Sequence, residues 1–139
     1  MKKLFLLLTL ILTTLITDAQ KNSWNIKLNN KIVLSTTKED EEKNIVKIKT
    51  QEGKKEGYLE IKFTEAEPDT WWRSFLFYDE DDNEVLRKDS VTSYKIKLGL
   101  LRKSFSGKKL IRIYTTISPK DPNLAVRIRR VHLCTLRLQ

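Results

Sequence analysis

From Trp24 to Leu138 apolar and polar residues alternate almost throughout with a period of two, the spacing at which successive side chains of a strand take opposite faces. Trp24, Ile26 and Leu28 alternate with Asn25 and Lys27. Asn29-Asn30 then separates them from Ile32, Val33 and Leu34, and asparagine tolerates the positive φ of a tight hairpin turn. The acidic run Glu39-Asp40-Glu41-Glu42 reads as a solvated loop or a single helical turn, before Ile45, Val46 and Ile48 resume a strand. Gly53 and Gly57 bracket a charged turn. Tyr58 to Phe63 sets Leu59, Ile61 and Phe63 on one face and Glu60 and Lys62 on the other, and Pro68-Asp69 closes that unit.

Trp72 to Tyr78 is apolar on both faces, which predicts a strand covered on both sides. Asp79 to Asn83 turns the chain and Val85-Leu86 begins a return strand. Tyr94, Ile96 and Leu98 alternate with Lys95 and Lys97, and there the period changes. Leu98, Leu101 and Phe105 have helical spacing, Gly107 sits where a C-cap glycine belongs, and Lys103 and Lys108 suit that end of the dipole. One short helix over 99–106 is predicted. Leu110 to Ile117 reads as a strand, Ser118 to Asn123 as a turn with two prolines, and Leu124 to Leu138 as a last long strand with a bulge near Arg129-Arg130.

About eight or nine short strands and one helix predict an all-β fold, an antiparallel β-sandwich, with a small barrel as the second choice. The Cys…Trp…Cys spacing of antibody domains is missing, so "immunoglobulin-like" would describe architecture alone. The expected core contains Leu59, Ile61, Phe63, Phe75, Phe77, Ile96, Ile111 and Ile113.

The chain opens with Met1-Lys2-Lys3, an uncharged run from Leu4 to Ile16, and small residues in Thr17-Asp18-Ala19. The run is too short for a spanning helix, which needs about 20 residues, and suits the core of a cleaved signal peptide over 1–19. Gln20 follows the cut where a lipoprotein would carry cysteine. The style of this leader is that of exported proteins of Gram-negative bacteria. The expectation is a β-sandwich domain over 20–139 in the periplasm or at the cell exterior, without a transmembrane segment after cleavage.

Net charge is +9, unevenly spread. Gln20 to Tyr94 holds 13 Lys and Arg against 16 Asp and Glu, whereas Lys95 to Gln139 holds 12 against one, Asp121. Such an excess either pairs with earlier acidic strands or is displayed to an anionic partner. Lys108, Lys109, Arg112, Arg127, Arg129 and Arg130 are the candidate anion-binding residues. Nucleic acid is disfavoured as the partner by export and by the lack of a recognisable nucleic-acid module.

His132 and Cys134 are the single histidine and cysteine. On a regular strand they would lie side by side, about 6.5–7 Å apart, too far for a thiolate–imidazole pair. Cys134 shares the parity of Leu136 and Leu138 and is read as a core residue, His132 as a hydrogen-bonded edge residue. Two such ligands fall short of the four that zinc takes, so no metal or cofactor is expected. Asp79 to Asn83 opens like a calcium loop, but Glu84 replaces the turn glycine and Ser90 the bidentate glutamate. Trp71-Trp72 reads as core or covered, with an exposed sugar platform as the rival. There is no nucleophile elbow, no H-E-x-x-H and no phosphate-cradling glycine loop, and no catalytic residue is assigned. The function expected from sequence is a non-catalytic binding or structural module of the bacterial envelope. Its partner would be an anionic envelope polymer, a lipid head group or another protein. The alternative is a small hydrolase of envelope polymers acting through paired carboxylates.

Overall fold

Among the described residues the alternating pattern folds into nine strands in two sheets packed face to face, with one short helix. In this computed structural model the described residues are 21–49, 57–67 and 71–139. The leader over 1–19, Glu52, Gly53 and Glu56, and Pro68-Asp69 lie outside them. The smaller sheet runs β2 (Lys31–Thr36), β1 (Ser23–Leu28), β4 (Tyr58–Thr64), β7 (Ser93–Lys97). The larger runs β3 (Ile45–Ile48), β9 (Val131–Leu138), β8 (Leu110–Pro119), β5 (Trp71–Tyr78), β6 (Glu84–Lys88).

Asn29 and Asn30 take φ of 52° and 66°, which makes the β1–β2 connection a two-residue turn of the kind that matches strand twist. The Asn29 side chain then accepts the Tyr58 backbone N–H at 2.9 Å. Gly57 is required by this contact, since a Cβ there would fall 1.3 Å from Asn29 Oδ1. The helix α1 (Leu98–Ser104) begins one residue before the predicted span, and Leu98, Leu101 and Phe105 join the core. Gly107 takes the left-handed conformation at φ 77°. No helix among the described residues is long and apolar enough to cross a membrane.

Every core residue expected from the alternation is buried. Phe75, Phe77, Ile111 and Ile113 of the larger sheet pack with Leu59, Ile61, Phe63 and Ile96 of the smaller one. Glu60 stands in register between Lys27 and Lys95, so a cross-strand charge arrangement does exist in the smaller sheet.

Three expectations are corrected. The sandwich is not wholly antiparallel: β3 runs parallel to β9, with Ile45 opposite Thr135 and Ile48 opposite Leu138. These strands come from distant parts of the chain, so no hairpin fixes their relative direction. The last strand starts at Val131, and 124–130 joins no ladder. Arg130 is drawn instead across the outer face of the larger sheet, 4.6 Å from the Tyr78 ring centre and 4.5 Å from that of Tyr114. The bulge lies at Leu133 and not near Arg129-Arg130, since Cys134 opposes Ile113 while His132 opposes Tyr114.

Truncating Phe77, fully enclosed between the sheets, to alanine should cost about 3–5 kcal/mol in a denaturant titration. A loss under about 1 kcal/mol would mean that β5 is not the centre of the core.

Candidate functional site: an arginine-lined cleft between the sheets

The bulge at Leu133 sends His132 and Cys134 to opposite faces, which overturns their side-by-side placement. Cys134 enters the core, fully enclosed, and burial pushes its thiol pKa up. Thiolate chemistry is thereby suppressed. The backbone of His132 does lie at an edge, since β3 pairs with β9 only from Thr135 to Leu138 and the His132 N–H goes to Glu39, but the side chain is fully buried. Its ring is sealed against Tyr114 with centroids 5.6 Å apart, and Nε2 meets the Thr135 hydroxyl at 2.9 Å. Burial lowers its pKa and favours the neutral imidazole.

The six basic candidates divide into two groups. Lys108, Lys109, Arg112 and Arg130 surround the Asp79–Asn83 turn. Lys108 bridges Asp79, at 3.2 Å, and Asp81. The Lys109 backbone N–H points to Glu80, and Arg112 donates to the carbonyls of Asp79 and Glu80 at 3.4 Å. Arg130 pairs with Asp82 at 3.5 Å. The Asp79 carboxylate also accepts the backbone N–H groups of Asp81 and Asn83, each at 2.9 Å. The loop with calcium-like spacing is thus closed by its own donors and by the Lys108 ammonium. The Asn83 N–H is the largest influence on Asp79; against an opposing push from burial, it and its companions bring the pKa down to about 2.

Arg127 and Arg129 instead border a cleft of about 350 Å³ that both sheets help to line. Trp24 of β1 and Phe63 of β4 form apolar walls, and Arg73 of β5 adds a third guanidinium. Thr115, Thr116 and Ile117 come from β8, and Glu39 is the single lining carboxylate among the described residues. Arg73 was missed by the sequence reading because it sits at an inward position of an apolar strand. There its guanidinium lies 3.7 Å from the Phe63 ring centre, with Nε on Glu65 at 2.8 Å and Nη1 on Thr115 at 3.0 Å. Burial pulls its pKa below the usual value, opposed by Glu65.

Glu39 pairs with Arg129 and accepts the His132 backbone N–H at 2.8 Å. Partial burial pushes its carboxyl up, but these donors outweigh it and hold the pKa below the ordinary value. With Glu39 taken by Arg129 and Glu65 by Arg73, Arg127 lines the cleft with no ion-pair partner among the described residues. A smaller hollow of about 230 Å³ adjoins, lined by Glu65, Glu67, Trp71 and Arg73 among others. Trp72 is not covered as expected. It is exposed on the outer face, with the Lys120 ammonium 4.9 Å from its ring centre.

Comparison of the chain with family models, curated proteins and solved structures gave no match.

Two predictions follow from the buried thiol and the closed turn. Cys134 should react with a soluble thiol reagent only on unfolding, and Cys134→Ala should cost about 1 kcal/mol; rapid labelling of the native protein would show an accessible thiol. Asp79 stabilises the fold fully above its unfolded pKa of 3.8, and that contribution should fade as pH falls towards about 2. A melting-temperature series should therefore drop less steeply over this window in Asp79→Asn. Parallel curves for the two proteins would count against the ionised turn.

Proposed function

We propose that the chain is an exported, non-catalytic binding domain of the bacterial envelope, and that its arginine-lined cleft takes an anionic group of the partner. The observation that carries this reading is the lining itself, three guanidinium groups against one carboxylate among the described residues. Guanidinium presents a planar fork of donors suited to carboxylate or phosphate. The walls of Trp24 and Phe63 lower the local dielectric and strengthen the attraction. Arg127 offers the first contact, while Arg73 and Arg129 are held in place by their own acids.

Absence of catalysis is supported by the fate of the nucleophilic and basic groups. The one thiol and the one imidazole are both enclosed, and Glu39 is committed to Arg129 and the His132 N–H. A hydrolase reading draws on the hollow that Glu65 and Glu67 share, though Glu65 is already bound to Arg73. Export is supported by the leader over 1–19.

The protein should cosediment with polyglutamate, a uronic-acid polymer or anionic vesicles at 0.1 M salt and release them at 1 M, as the Debye length falls from about 10 Å to about 3 Å. Arg127→Glu with Arg129→Glu should abolish the interaction and keep the fold, while the equal charge change Lys97→Glu with Lys103→Glu, away from the cleft, should retain it. If wild type and the arginine variant sediment alike with all three probes, the cleft is not the binding site.

A further inference from the structure

Leu124 to Arg130 has the pattern of a strand without the pairing of one. Leu124, Val126 and Ile128 alternate with Ala125, Arg127 and Arg129. Yet the whole segment is exposed, with Leu124 at 50%, Val126 at 38% and Ile128 at 57%. Aliphatic side chains at every second position of an exposed, unpaired stretch are what a strand shows before it finds a neighbour.

The neighbouring strand has a matching gap. β8 pairs with β5 as far as Pro119 opposite Trp71. On its other side β8 pairs with β9 only to Thr115 opposite Val131. Thr116 to Ser118 therefore belong to a paired strand and still present one edge without a strand partner among the described residues. Thr116 and Ile117 of this edge line the cleft together with Arg127, Arg129 and Val131.

We propose that this edge accepts an extended acidic segment of a partner polypeptide, which adds to the larger sheet as a strand beside Thr116–Ser118. The inference rests on the anionic-partner reading and narrows it to one chemistry. Unpaired main-chain groups of β8 supply the register, as in other strand additions. The occupant is acidic because Arg127 and Arg129 both line the cleft and Glu39 is the single lining acid among the described residues. Its carboxylates fall at alternate positions, because every second side chain of a strand takes one face. A free phosphate or a lipid head group would satisfy the arginines and leave the strand edge unused.

The test uses the full-length chain and eight-residue peptides of alternating glutamate and valine. A lysine–valine peptide is the charge control. Two further glutamate–valine peptides carry N-methyl groups on every glutamate nitrogen or on every valine nitrogen, which blocks one edge of the strand at a time and keeps the charge. The glutamate peptide should bind at least about tenfold more tightly than the lysine peptide, and one methylated peptide should bind at least about tenfold more weakly than its parent. Amide exchange at Thr116 to Ser118 should slow on binding. If all three glutamate peptides bind alike and exchange is unchanged, strand addition is overturned and the anionic-partner reading stands. If no glutamate peptide binds while anionic vesicles or a uronic-acid polymer do, the polypeptide partner is overturned and the anion-binding cleft again stands. If none of these probes binds, both fall.

Discussion

One hydrogen bond ties the two sheets together where β9 departs from regular pairing. The Trp24 indole N–H donates to the Leu133 carbonyl at 3.0 Å across the core. Leu133 is the extra residue of the bulge, and a bulge residue is left out of the ladder. Its carbonyl would be buried without a donor, at a cost of about 1–3 kcal/mol, if the indole did not reach it. The same bond fixes Trp24 so that its ring lies parallel to Phe63 at 5.9 Å, and Arg73 sits over Phe63. The apolar walls of the cleft and its innermost guanidinium therefore descend from a one-residue irregularity in the last strand.

That irregularity also organises the outer face of the larger sheet. It turns His132 towards Tyr114, and Tyr114 meets Tyr78 edge-on at 5.5 Å. Arg130 covers both tyrosines and pairs with Asp82. Arg130, just before β9, is thereby held against this face. Arg129, one residue earlier, is anchored by Glu39 beside the cleft. Neighbouring arginines in sequence thus serve different ends, Arg130 as a structural cover and Arg129 as part of the cleft wall.

The basic excess of the second half is compensated by loops more than by strands. The Asp79–Asn83 turn absorbs Lys108 and Arg130, and Glu39 takes Arg129. Loop carboxylates can approach a cation from the sheet edge, whereas cross-strand pairs are restricted to residues in register. The charge that remains beside the cleft is therefore a product of where loops pass.

The sequence by itself determined the two-layer all-β fold, the Asn29-Asn30 turn, the short helix and the inward faces of the central strands. These features follow from periodicity and from residues with special φ, which are local properties. It also placed Cys134 inside correctly, because parity from Leu138 back to Cys134 runs through a regular strand. Parity failed at His132, one residue beyond the bulge, since no turn residue or glycine marks a bulge built from leucine. The cleft was legible only in part. Arg127 and Arg129 stood out as uncompensated charge, but Arg73, Glu39 and Phe63 come from three other stretches of chain. Their meeting was decided by tertiary structure alone, because the parallel docking of β3, the crossing of Trp24 to Leu133 and the detachment of 124–130 depend on contacts between residues far apart in sequence, and no local pattern records those contacts.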